Sequence, residues 1–453
     1  MAPDDAKKSR HVIAIVGAAT AGSEIARILA ERGTLVIVIE QNPRPYGKIE
    51  DGLPRWHVKQ RLDEYERINS RLAHPNIEYL PLTRLGRDID FQDLRLNWRL
   101  NAIVLTHGAW RDRSFPVEGA DRFVDRGLVY QNPLIYWFNH YVEQSYDGPR
   151  YELSPGAIVV GGGLASIDVV KVLQIEVALK ALRARGIDEE MLRLEREGLE
   201  PVLESHQLKY ADLGVAPCTL YYRRRVLDMP LSDIPPDAPP RRAEALRQAR
   251  AKILDKAMRK YLFDFQELRA PIDLVVDNDR MVGVDFSRTS VIDGVVNLVQ
   301  GDDLEVRAPL TVSSIGSIPE PIRGVAQRGE VYEYADAKIG LLMSGSTTVF
   351  AAGNVLTGKG NIKDSLESGT EVGTRVAEAY LGLSGEQIDL AAGARIAAAA
   401  EANVIGDAVS PQPKLEAAAV EAIVTRVRER QRAVGYDGNY RAWIARVTPP
   451  DLR

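Results

Sequence analysis

Residues 11–16, HVIAIV, form an unbroken apolar run that stops at Gly17. Apolar positions then recur at helical spacing (Ile25, Ile28, Leu29) as far as Gly33, and a second run, TLVIVIE, closes on Glu40. Continuous apolar runs suit strands buried on both faces, and the period between them suits a helix packed on those strands. The pattern predicts strand, glycine turn, helix, strand and acid within about 30 residues, a dinucleotide-binding unit. The turn reads Gly17-x-Ala19-x-x-Gly22, with alanine at its middle position. Glu40 stands at the strand end where a carboxylate accepts from the hydroxyls of a ribose. A surface position is the plainer alternative.

A second unit begins at 156–160, GAIVV, and continues into GGGLASIDVVKVLQ. It presents Gly161-x-Gly163-x-x-Ser166, an apolar stripe (Ile167, Val170, Leu173), and Asp168 near the helix N-terminus. A charged helical insertion over 176–210 delays the next strand, CTLYY, which ends in Arg223, Arg224 and Arg225. Arginine at this strand end replaces the ribose-binding acid when the ribose carries a 2′-phosphate. A solvated strand end is the alternative. Further strands are expected at 272–276, 281–286, 295–299 and 310–316, as antiparallel hairpins and a returning strand. Another, TVFAAG (348–353), opens on a glycine turn that leads into a helix. Beyond 380 the chain is Ala-rich, breaks at SPQPK and ends in an amphipathic helix near 413–432.

Composition narrows the function classes. The chain has 453 residues, a net charge of −5 and 27% charged residues, which argues for a soluble protein and against a general nucleic-acid binder. No run approaches the roughly 20 apolar residues of a membrane span. The polar start running straight into a strand shows no signal peptide, so a cytoplasmic location is expected. One cysteine, Cys218, allows neither a dithiol centre nor a four-cysteine iron–sulfur site within the chain. Redox chemistry here needs an organic cofactor. No metal-ligand cluster is evident, so no metal is expected.

The stretch RPYGKIEDGLPRWHVKQR (44–61) carries a further pattern: Pro45-Tyr46-Gly47, then Gly52, Pro54 and His57. With GRDIDFQDL (86–94), LTHGA (105–109), GGGLASIDVVKVL (161–173), YYRRR (221–225), FSRT (286–289) and GKGNI (358–362), it resembles the adrenodoxin-reductase-type ferredoxin–NADP reductases, relatives of the glutamate synthase small subunit. The likeness covers roughly residues 11–380. It implies an α/β fold of two Rossmann-like domains, an FAD domain (1–108 and 315–380) with an inserted NAD(P) domain (109–314), mixed sheets with antiparallel hairpins, and a helical extension at 381–453.

The resemblance places Gly17, Ala19 and Gly22 against the FAD pyrophosphate and Glu40 on its ribose. It puts Tyr46, Gly47, Gly108 and the catalytic candidate His57 near the flavin. Gly353, Asn354 and the Gly360-Asn361-Ile362 turn approach the flavin ring, Gly161, Gly163 and Ser166 face the NADP pyrophosphate, and Arg223 and Arg224 clamp its 2′-phosphate. On residues alone His57 fits a structural role as well. The sequence departs from the family pattern at Glu50, Trp56 and Asn354, and LDMPLSDIPPDAPP follows the arginines in the manner of the glutamate synthase subunit.

The implied activity is FAD-dependent transfer of electrons from NADPH to a small acidic carrier such as ferredoxin or flavodoxin. Two alternatives are an electron-input subunit beside an iron–sulfur partner, and a flavin-binding redox sensor with little turnover. The segment 241–260, with eight basic and two acidic residues, reads as a docking helix for such a carrier or as an ordinary solvated helix.

Overall fold

The computed structural model describes residues 8–232, 234–235, 237–357 and 370–450. Among them, six strands form one sheet in the spatial order Leu341–Met343, Thr348–Ala351, Ala102–Leu105, Val12–Val16, Leu35–Ile39 and Ile77–Leu80. All neighbours are parallel except the first pair, which is antiparallel. A second, wholly parallel sheet runs Leu128–Tyr130, Thr311–Ser314, Ile158–Gly161, Thr219–Tyr222 and Asp264–Glu267. The expected strand at 310–316 thus lies inside this sheet, between Leu128–Tyr130 and Ile158–Gly161 and parallel to both.

Both faces of the first sheet are covered, which is why its strands are apolar throughout. On one face Ile13 and Ile15 pack with Ile25 and Leu29 of the Thr20–Glu31 helix. Ala398, Ala402 and Ile405 of the Ala392–Val409 helix join the same cluster. On the other face Val12, Ala14 and Val16 meet Val420, Ile423, Val424 and Val427 of the Ala417–Ala433 helix. The C-terminal extension therefore supplies core to both sides of the first unit. The charged insertion is helical (Met191–Glu197 and Leu199–Ser205) and packs on the 20-residue Leu164–Arg183 helix of the second unit.

The predicted strands at 272–276, 281–286 and 295–299 are longer than their apolar cores. They form a three-stranded antiparallel sheet of Arg269–Asp277, Arg280–Ile292 and Val295–Arg307. Backbone pairing carries the strands on through polar residues that periodicity leaves out. The chain crosses between the two parallel sheets through a two-stranded ribbon, Arg111–Asp112 with Ser317–Ile318.

In each parallel sheet the strand order turns back beside the first strand of its unit. Val12–Val16 lies between Leu35–Ile39 and Ala102–Leu105; Ile158–Gly161 lies between Thr219–Tyr222 and Thr311–Ser314. Such a switch point opens a crevice at the carboxyl ends of the strands.

Candidate functional site

A cleft opens at each switch point. The first, about 1040 Å³, is lined by the Gly17–Ala21 turn, Glu40, Gly47, Lys48, Thr106, Gly108 and Asn354, among others. The second, about 2050 Å³, is lined by Gly161, Gly163, Ser166, Arg223, Arg224 and again Lys48 and Asn354. The two clefts meet at those shared residues.

Close backbone approach shapes the first turn. Gly17 has φ +102°, and a Cβ there would lie 2.7 Å from the Thr106 carbonyl oxygen. A Cβ on Gly22 would sit 1.9 Å from the Gly17 oxygen, so Gly22 serves helix-to-strand contact and does not line the cleft. Ala19 is tolerated because its neighbour lacks a side chain: a Cβ on Gly47 (φ +51°) would lie 2.8 Å from the Ala19 methyl. The alanine and the glycine of Pro45-Tyr46-Gly47 are steric complements. No acidic residue occupies the first turn of the Thr20–Glu31 helix, leaving its positive end available to an anion.

Glu40 is buried in the cleft wall and accepts from the amides of Ala18 (3.0 Å) and Asn42 (2.9 Å). Burial pushes its carboxyl up to about 7, against the pull of those two amides. Because folding raises this pKa, the associated stability is complete below about 4.5 and is lost as the pH rises through about 7. The ligand-free protein should therefore lose on the order of 3 kcal/mol relative to a Glu40→Gln variant across that window. Denaturant unfolding of both chains at the two ends of the window checks this, and parallel pH profiles would refute it.

The second turn follows the same logic with different partners. A Cβ on Gly161 would lie 2.3 Å from Ser166 Oγ and 2.4 Å from the Ser314 oxygen. Ser166 is buried, donates to the Ser314 oxygen at 2.9 Å and accepts from the Gly163 amide at 3.3 Å. It pins the helix to the Thr311–Ser314 strand. The Tyr222 ring covers Gly162, where a Cβ would come within 2.2 Å of it. Arg223 is exposed on the cleft and its guanidinium has no partner among the described residues; Arg224 donates to the Gly294 oxygen at 2.8 Å. Arg225 instead pairs with Asp228 at 2.8 Å.

The structure places several of the expected residues outside the linings of these two clefts. His57 lines neither cleft. It precedes the Val58–Leu72 helix, with its ring stacked on Tyr380 at 5.0 Å and held neutral by burial and by the Lys171 charge. Tyr46 also turns inward, stacking on Tyr65 and bonding Asn69 through its hydroxyl. Asp168, near the start of its helix, is buried, accepts from the Tyr380 hydroxyl and is pushed up to about 7, chiefly by burial. The Gly353 amide is held by the Glu401 carboxylate at 3.0 Å, from the C-terminal extension, and Gly353 is not in either lining. Gly360, Asn361 and Ile362 lie outside the described residues.

The 44–61 stretch is mostly a brace. Glu50 pairs with Arg44 (2.9 Å), Asp51 with His140 (3.0 Å) and Arg55 with Glu176 (3.4 Å), while the Lys171 ammonium lies 4.4 Å from the Trp56 ring. The last three contacts tie the first unit to two helices of the second, Gln131–His140 and Leu164–Arg183. Together with the Arg44 pair they also account for Glu50 and Trp56. In the basic helix, now Pro240–Tyr261, Arg250 and Lys260 turn to backbone oxygens and Lys256 pairs with Glu378.

Lys48, His107, Trp110 and Tyr222 are among the cleft residues to which the sequence assigned no role. His107 is pushed down to about 4 by burial and bonds the Tyr332 hydroxyl at 3.2 Å. Its place in the LTHGA motif, beside Gly108, was the available signal.

No family model matches the chain. A mitochondrial NADPH:adrenodoxin oxidoreductase of Arabidopsis thaliana is 25% identical over 260 residues, 54% of this chain and 51% of that protein. The glutamate synthase [NADPH] small chain of Halomonas elongata is 27% identical over 160 residues, 34% of this chain and 32% of that one. The chain thus spans about a third to a half of the length of these relatives. Among solved structures, FprA of Mycobacterium tuberculosis in complex with NADPH aligns over 91% of this chain and 99% of its own, with a TM-score of 0.57 and 18% identity. Among the described residues no helix is long and apolar enough to cross a membrane. The chain is therefore similar in sequence to the adrenodoxin-type reductases and the glutamate synthase small chain, and it has the two-dinucleotide-domain α/β fold of FprA.

Proposed function

We propose that this chain is an FAD-dependent reductase that takes electrons from NADPH and delivers them singly to a small carrier of the ferredoxin or flavodoxin type. The observation that carries the reading is the meeting of two clefts, each at a switch point and each built on its own glycine turn, at Lys48 and Asn354. FAD fits the first: Gly17, Ala19 and Gly47 line the cleft where a pyrophosphate would lie, and the buried Glu40 carboxylate is held in its wall by two amides. NADP(H) fits the second, with Gly161 and Gly163 at the phosphates and Arg223 and Arg224 at the 2′-phosphate.

When bound, a flavin supplies the conversion between a two-electron hydride and one-electron transfer. The protein's part is to orient and to exclude water. Glu40 and the Gly17 turn fix one nucleotide, the Gly161 turn and the arginines fix the other, Trp110 walls the first cleft and Asn354 the junction. Cys218 is buried and its thiol is pushed up by that burial, so electrons leave through a separate molecule and not through a thiol of this chain. The first cleft together with its sheet forms the FAD part and the five-stranded sheet the NAD(P) part.

Anaerobic titration of the flavin-loaded protein tests the reading. NADPH is expected to bleach the visible flavin absorbance, and NADH to do so far less effectively. A flavin left oxidised by both would sink the proposal.

A further inference from the structure

Lys48 follows the glycine that accommodates Ala19, and its side chain lines both clefts. Among the described residues its Nζ reaches two neutral partners, Asn132 Oδ1 and Ser317 Oγ, each at 3.4 Å, and lies 5.3 Å from the Trp110 ring centroid. Both contacts are long for a charged donor, which normally closes to about 2.7–2.9 Å on a carboxylate. Among the described residues no carboxylate stands within ion-pair distance of it. Asp112 is the nearest acid to influence it, and that group is engaged with the Asn132 amide at 3.3 Å. Enclosure pushes the ammonium down to about 8, with Asp112 opposing. An enclosed ammonium without a carboxylate at ion-pair distance is costly, and here it opens onto two clefts that each carry a glycine turn.

Its supports fix its position. Asn132 also donates to the Trp110 oxygen (2.8 Å) and to Ser317 Oγ (3.0 Å). Ser317 and Asp112 belong to the two strands by which the chain crosses between the sheets. Lys48 is thus anchored to a ribbon that joins both units, and its charge stays at their junction.

We propose that Lys48 is a ligand-contact residue whose ammonium receives negative charge from a bound dinucleotide at the junction of the two clefts. The charge comes either from a phosphate oxygen or from the reduced ring. The inference rests on the functional reading above and adds to it a residue that the glycine motifs and the arginine pair do not include.

The test compares flavin-loaded wild type with Lys48→Met and Lys48→Arg in three measurements. These are the affinity for FAD, the affinity for NADP+ by calorimetry, and the flavin midpoint potential. If a phosphate supplies the charge, Lys48→Met weakens FAD or NADP+ binding about tenfold, and the nucleotide affected names the cleft. If the reduced ring supplies it, both affinities hold while the potential falls by about 30 mV, the equivalent of tenfold weaker holding of the reduced form in a two-electron couple. Lys48→Arg should recover most of either loss, which lost packing alone would not explain. A Lys48→Met chain unchanged in all three, beside a wild type that binds both nucleotides, overturns this inference and leaves the functional reading standing. A wild type that binds neither nucleotide overturns both.

Discussion

A Gly22→Val chain should emerge from purification without flavin and destabilised by about 3 kcal/mol, the upper end of what overpacking a close contact costs. The new Cβ would start 1.9 Å from the Gly17 oxygen and 2.8 Å from Thr106 Oγ1. Neither neighbour can retreat. Thr106 Oγ1 is already held by the oxygens of Val16 (3.0 Å) and Gly17 (2.7 Å), and the Gly17 amide by Ile39 (2.8 Å). The Thr20–Glu31 helix must therefore lift from the sheet, and the turn that frames the first cleft goes with it. A Gly163→Ala chain is the control: its φ is −96° and a Cβ there meets nothing within 4 Å, so it should fold normally. The ratio of flavin to protein absorbance, with a denaturant midpoint for each variant, decides the matter. A flavin-replete Gly22→Val chain of ordinary stability would show that this turn does not set the first cleft.

The second large effect concerns the choice of nicotinamide nucleotide. Replacing Arg223 and Arg224 together with alanine should raise the dissociation constant for NADPH by about a hundredfold or more and leave that for NADH within a fewfold. Hydrogen bonds to charged groups contribute about 1.5–3 kcal/mol each, and about 1.4 kcal/mol is tenfold. Arg223 brings a guanidinium uncommitted among the described residues, and Arg224 one that is anchored by Gly294 beside the same cleft. Arg225 is adjacent in sequence yet bound to Asp228 at 2.8 Å, so Arg225→Ala should leave discrimination nearly intact. Binding isotherms for both nucleotides with the double variant and with Arg225→Ala separate these outcomes. Equal losses for NADPH and NADH would move the 2′-phosphate contact elsewhere.

The difference between Arg225 and its two neighbours shows where sequence reading stops. Three consecutive arginines look alike in a string, and only the turn to Asp228 removes one of them from the cleft. The same holds for the aromatic and histidine positions of the 44–61 stretch. Tyr46 and His57 sit where a family motif puts them, but side-chain direction depends on what packs opposite. Here Tyr65 and Asn69 take one and Tyr380 takes the other. The extension beyond 380 carried no readable chemistry because its role is packing on both faces of a sheet whose first strand, Val12–Val16, lies near the other end of the sequence, together with one carboxylate, Glu401, brought to Gly353. Lys48 escaped notice for a related reason. Its significance comes from Asn132 and Ser317, which lie 84 and 269 residues away.

By itself the sequence determined the two strand–turn–helix–strand units, their glycine turns, the acid ending one and the arginines ending the other. All of these are local: a run of apolar residues, a helical period and a backbone that needs glycine are decided within a few residues of one another. Tertiary structure alone decided that the two clefts meet, that Ala19 is accommodated by Gly47, and that Lys48 stands at their junction while His57 does not. Those outcomes depend on which side chains from distant segments occupy the same space, and close packing allows only one occupant at each point.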